Sequence, residues 1–183
     1  LKEKGLKYKP DLIIINYYIN DAEVIEKPNR FFYIFQKNLY TYVFFWDKAS
    51  NAFLKFKNEI YLSFYSRLYE DSFRGNQDMI KSLNELARIA KENNIKQVVV
   101  VYPEFHNFKD YEFKYVTDAV RNVSSGNNIY FLDLLPYYEP YDPESIWVSF
   151  EDAHPNVLGN SIAADAITDF LMKKNIVPVR KNK

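Results

Sequence analysis

The sequence contains no cysteine and only two histidines, His106 and His154. The lack of cysteine excludes disulfide frameworks, cysteine-ligated zinc and thiol nucleophiles, while it leaves the cellular compartment open. The two histidines lie far apart and form no pair at helical spacing, so we expect no metal site and no cofactor. Any imidazole chemistry must therefore come from one of these two side chains.

Glycine, net charge and long apolar runs are also scarce. The four glycines form no phosphate-binding loop. Lysine plus arginine balances aspartate plus glutamate at 24 each, so no overall field attracts nucleic acid, and we expect no nucleic-acid partner. No apolar run is long enough to span a bilayer, because polar residues 36–38 interrupt even the aromatic stretch that starts at Phe31.

The remaining pattern is that of an α/β domain. At 183 residues the chain suits a single domain. Three short apolar runs predict buried strands at Asp11–Tyr18, Lys96–Tyr102 and Ile129–Leu135. Amphipathic helical patterns lie at Met79–Ala90, Phe113–Val123 and Leu158–Leu171. This alternation predicts a three-layer α/β fold with a mainly parallel sheet and helices on both faces.

Residues 31–70 interrupt this alternation with a dense aromatic segment. The chain holds 16 tyrosines and 15 phenylalanines, and many of them lie in this segment. We interpret it as a pair of helices inserted between strands, forming an aromatic core against the sheet. A lid or acyl-chain pocket, or a face for a partner or a membrane surface, is the alternative.

The most informative motif is residues 151–156, which read Glu-Asp-Ala-His-Pro-Asn. A carboxylate two residues before His154 is placed to accept a proton from one ring nitrogen, leaving the other as a general base. Asp152 is the first candidate for this orienting acid, and Glu151 is the alternative. Asn156 is suited to cap the following helix. The motif predicts the orienter and base of a hydrolytic triad.

Further candidates follow the first two predicted strands, at the sheet edge where parallel α/β proteins bind ligands. Asn20 is a candidate oxyanion donor, since a side-chain amide can stabilise the negative charge of an acyl-transfer transition state. Asp21 is expected to bond backbone amides in the turn. Tyr18 and His106 are candidate substrate-binding residues, with a hydrogen-bonded loop histidine as the simpler interpretation of His106.

In order and spacing, Asn20-Asp21, the strand that ends near Pro103, and Asp-Ala-His-Pro-Asn at residues 152–156 resemble the back half of the SGNH (GDSL-type) hydrolases. The resemblance implies a flavodoxin-like sheet and a serine nucleophile in a Gly-Asp-Ser motif, expected upstream of Leu1. Residues 1–183 would then be one incomplete domain, inactive by itself. Tyr18 departs from the family, which has glycine there, and it narrows the space beside the oxyanion.

The resemblance implies a serine esterase or deacylase that hydrolyses O-acyl esters, such as acetyl groups on a glycan or a small molecule. An O-acyltransferase with the same triad is the close alternative. A non-catalytic domain that binds a glycan, lipid or protein partner is another, suggested by the missing serine and the aromatic content. We expect an extracytoplasmic or membrane-anchored parent protein, and membrane association of this chain is left open.

Overall fold

The computed structural model describes residues 1, 4–24, 58–149 and 152–178. In these residues three strands alternate with six α-helices. The strands are β1 (Leu12–Tyr17), β2 (Lys96–Val101) and β3 (Tyr130–Asp133). The helices are α1 (Asn58–Leu68), α2 (Arg74–Glu92), α3 (Lys114–Gly126), α4 (Leu135–Tyr138), α5 (Pro143–Ile146) and α6 (Val157–Lys173). A short 3-10 turn, Ile19–Ala22, follows β1.

The three strands form one parallel sheet in the order β1-β2-β3. Tyr17 of β1 pairs with Val101 of β2, which in turn pairs with Asp133 of β3. The carboxyl ends of all three strands therefore meet at one edge. β2 holds the central place because four consecutive β-branched valines favour an extended chain that is buried on both faces.

The side chains of β2 divide the core into two layers. Val99 and Val101 pack in a cluster with Met79 of α2 and Val116 of α3. Val98 and Val100 point to the opposite face and pack in a cluster with α6. All four valines are at most 1 % exposed, and full burial of such a side chain contributes about 1.5 to 3 kcal/mol. The chain thus has a mixed α/β fold with helices on both faces of a parallel sheet, as the sequence predicts.

All three strands are one or two residues shorter than predicted at one or both ends, and β1 and β3 differ further in burial and in how the strand ends. β1 was expected to be buried on both faces, but Ile14 is 40 % exposed, since the cluster beneath α6 includes Leu12 and not Ile14. β3 ends at Asp133, two residues before the predicted end. The Asp133 carboxylate accepts the Leu135 N–H at 3.0 Å, which turns the chain into α4.

The aromatic segment predicted at residues 31–70 lies outside the described residues up to position 57. Its last part forms α1, from which Tyr65 and Leu68 are buried against the β1 and β2 face of the sheet. In the described ranges, no helix is both long and apolar enough to cross a membrane.

Candidate active site

A short antiparallel ribbon presents His154. Trp147 pairs with Pro155, the Val148 N–H donates to the His154 carbonyl at 2.9 Å, and the Asn156 N–H donates to the Ile146 carbonyl at 2.9 Å. We call residues 146–148 and 154–156 the histidine ribbon. Opposed residues in such a ribbon project from the same face. Pro155 is buried on the inner face, whereas Val148 and the His154 side chain are 58 % and 61 % exposed on the outer one.

Asp152 and His154 form a hydrogen-bonded pair, with 2.6 Å between Asp152 Oδ1 and His154 Nδ1. Ser149 holds the acid in place, because its hydroxyl accepts the Asp152 N–H and its own N–H donates to the Asp152 carbonyl, each at 3.1 Å. The hydrogen bond from His154 lowers the pKa of Asp152. A carboxylate that holds the proton on Nδ1 leaves Nε2 as the basic nitrogen. Glu151, the alternative acid, lies outside the described residues.

Asn156 connects the histidine ribbon to α6. Its side-chain oxygen accepts the Gly159 N–H at 3.1 Å, which caps the helix. Its side-chain nitrogen donates to the carbonyls of Ser145 and Trp147, both at 3.0 Å. One side chain thereby fixes the start of α6 and the opposite strand of the ribbon, so the position of His154 is tied to the fold.

Tyr18 brings the end of β1 against the histidine. Its ring lies 5.7 Å from the His154 ring and stacks on Tyr102, which follows β2, with 4.5 Å between ring centroids and 18° between planes. Burial is the main cause that raises the pKa of both tyrosines. The two phenols therefore stay protonated at neutral pH, and they form one wall beside His154.

Asn20 and Asp21 occupy the 3-10 turn after β1. The Asp21 carboxylate accepts the Tyr18 N–H at 2.8 Å, so Asp21 fixes the backbone that carries Tyr18. Asn20 is exposed, and its carbonyl accepts the Glu23 N–H at 3.0 Å. Its side-chain amide makes no hydrogen bond with any other described residue. Among residues 18–21, the contact with the His154 ring is made by Tyr18.

A second acid–histidine pair lies nearby, and sequence reasoning missed its acid. His106 Nδ1 bonds to Glu104 Oε1, and the His106 N–H donates to Glu104 Oε2 at 3.0 Å. Glu104 is only 7 % exposed. The His106 ring also packs edge-on against Trp147 of the histidine ribbon, with 5.1 Å between centroids. The acid-x-His spacing, which repeats that of Asp152 and His154, was the available signal.

The serines for which hydrogen bonds are resolved make local contacts. Ser124 is buried with its hydroxyl on the Val120 carbonyl, and the Ser145 hydroxyl donates to Asp142. Across residues 58–149 and 152–178, no serine hydrogen bonds to His154. The same described ranges contain no group of three or more His, Asp or Glu side chains placed to hold a metal ion.

Comparison of the chain with family models, with curated proteins and with solved structures finds no match.

Proposed function

We propose that this chain carries the base and orienter of a serine esterase or deacylase that acts on O-acyl esters. The observation that carries the proposal is the Asp152–His154 pair, bonded at 2.6 Å, with both side chains exposed and His154 on the histidine ribbon. Its sequence order after Asn20, on a parallel α/β sheet, also supports the proposed SGNH-type fold.

In this proposal His154 Nε2 takes the proton of a serine hydroxyl as its oxygen attacks the acyl carbonyl. Asp152 holds the Nδ1 proton and stabilises the imidazolium that forms. The imidazolium then protonates the leaving alcohol, and an acyl-serine remains. Water, deprotonated by the same His154, releases the acid and restores the serine. The serine is supplied from outside residues 1–183.

The test is ester hydrolysis by the full-length protein. With p-nitrophenyl acetate as substrate, His154→Ala is expected to lower kcat by about three orders of magnitude or more, and Asp152→Asn by about two or more. Asp118→Asn is the matched control. It makes the same acid-to-amide change in a surface ion pair with Lys114 on α3, and it should leave kcat unchanged. Full activity in His154→Ala overturns the proposal.

Product analysis with an added glycan then shows whether water or a sugar hydroxyl accepts the acyl group. Free carboxylic acid as the sole product supports hydrolysis, whereas an acylated sugar shows transfer to a sugar hydroxyl. A protein that shows neither reaction and still binds the glycan contradicts both and favours a binding domain.

A further inference from the structure

The carboxylate of Glu104 is buried beside the site and takes no part in the chemistry proposed above. Transfer of a carboxylate from water to a protein interior is costly unless hydrogen bonds compensate for the lost hydration. Both oxygens of Glu104 are used on one residue, since Oε1 bonds to His106 Nδ1 and Oε2 accepts the His106 N–H. The backbone and the ring of His106 are thus fixed by the same side chain.

Glu104 is itself held from two other directions. Its backbone N–H donates to the Tyr111 hydroxyl at 2.7 Å. Tyr61 of α1 lies beside the carboxylate, and burial together with the charge of Glu104 raises the pKa of the Tyr61 hydroxyl, which stays protonated. The Tyr61 ring also faces His106 edge-on at 6.5 Å. The orientation of the His106 ring is therefore set by contacts to α1 and to the loop after β2.

The His106 ring passes this orientation to the histidine ribbon. It packs against Trp147 at an interplanar angle of 70°, and Trp147 is paired with Pro155, the residue next to His154. Residues opposed in this way, between the hydrogen bonds of an antiparallel ribbon, have α-carbons only about 4.5 Å apart. A displacement of Trp147 would therefore also displace Pro155 and, with it, the adjacent His154.

We propose that Glu104 and His106 are positioning residues, which set the place of Trp147 and, through the histidine ribbon, the place of the His154 ring. The chain then uses two acid-x-His pairs for different purposes. The Asp152–His154 pair does the proposed proton transfer, and the Glu104–His106 pair, of which the carboxylate is buried, supports the ribbon through Trp147.

The test measures the ¹⁵N resonances of the His154 imidazole in full-length protein labelled with ¹⁵N-histidine. The variants His106→Gln and His154→Gln assign the ring resonances of these two histidines. In Glu104→Gln an amide NH₂ replaces one carboxylate oxygen and faces either the His106 backbone N–H or His106 Nδ1. This change disturbs the His106 ring, so the His154 resonance is expected to move as well. His106→Gln keeps a donor toward Glu104 but loses the ring contact with Trp147, and it should also move the His154 resonance. Asp118→Asn should move neither histidine.

A double-mutant cycle establishes the route. If Trp147 carries the effect, Glu104→Gln produces no additional change at His154 in a Trp147→Ala background. An unchanged His154 resonance in both Glu104→Gln and His106→Gln overturns the inference. So does a Glu104→Gln effect of undiminished size without Trp147. If Glu104→Gln does not fold, as circular dichroism will show, the outcome for His106→Gln decides.

A kinetic readout rests on the proposed function and is kept separate. Misplacement of a base lowers kcat, whereas ground-state binding is little affected, so His106→Gln should lower kcat about tenfold while KM stays within about twofold. Absence of esterase activity in the wild type would contradict the proposed function alone. The resonance experiment would still test the positioning role.

Discussion

Gly159 lies so close to the carbonyl of Ile146 that a Cβ on this glycine would sit 2.6 Å from the carbonyl oxygen and 2.9 Å from Cβ of Pro155. The same Ile146 carbonyl accepts the N–H of Asn156. The first turn of α6 therefore packs directly on the histidine ribbon. Only a residue without a side chain permits this approach.

Gly159→Ala is accordingly expected to destabilise the protein by about 1 to 3 kcal/mol, since backbone atoms must shift to relieve the overlap. Gly126 is the matched control, because it ends α3 with no atom within 4 Å of an added Cβ. Gly126→Ala should leave stability unchanged or raise it by about 0.5 to 1 kcal/mol. Chemical denaturation of both variants provides the measurement, and equal effects at the two positions would contradict the packing argument.

The Tyr138 hydroxyl supports the same junction. It donates to the carbonyl of Gly159 at 3.0 Å from a fully buried position, and burial raises its pKa. Tyr138→Phe removes this bond and should cost about 1 kcal/mol of unfolding free energy. Tyr137, its neighbour, is 40 % exposed, so Tyr137→Phe should change stability by less than about 0.5 kcal/mol. Thermal unfolding that ranks the two variants in the opposite order rules this out.

The hydrogen bond between Asp152 and His154 predicts how the Asp152 carboxyl titrates. The hydrogen bond from His154 lowers the folded-state pKa of Asp152 below its ordinary value of 3.8. The stabilisation from this pair is therefore present above the unfolded pKa, and it is lost as the pH falls through the lowered folded pKa. His154→Gln should bring the pKa of Asp152 back up toward 3.8. Carboxyl ¹³C NMR measures this, and an unchanged pKa in the variant would show that His154 is not the cause.

Much of the fold follows from local sequence patterns. The valines at 98–101 predict a central strand because consecutive β-branched residues suit a chain buried on both faces. The helix faces were equally readable: Met79 and Leu83 of α2, and Val116 and Val120 of α3, are buried as their spacing predicts. Leu158 was expected in the buried stripe of α6 but is 46 % exposed. It lies in the first turn of that helix, where the histidine ribbon and not the sheet is the neighbour.

The candidate site was less readable, since it depends on contacts between distant segments. Asp152 and His154 lie two residues apart, so spacing alone suggests their pairing. Contact between Tyr18 and His154 depends instead on how β1 and the histidine ribbon pack, and no periodicity encodes that. Glu104 shows the same limit, because a glutamate after a strand is ordinarily solvated. Its burial results from α1 and Tyr111, which the sequence around Glu104 does not reveal.

Tyr18 leads to a prediction about substrate size, which rests on the proposed esterase function. The ring is held in place by its stack on Tyr102 and by the Asp21 carboxylate on its backbone N–H. It therefore cannot easily move away from His154, and it occupies space beside the base that an acyl chain would otherwise enter.

Tyr18→Ala should raise kcat/KM for octanoyl relative to acetyl esters by about tenfold or more, since each methylene accommodated in an apolar pocket contributes about 1 kcal/mol or more. Tyr18→Phe keeps the ring and is the matched control, with the preference of the wild type. If Tyr18→Ala loses activity equally toward all chain lengths, Tyr18 supports the His154 ring and does not limit the acyl group. An unchanged preference at full activity would place the acyl site away from Tyr18.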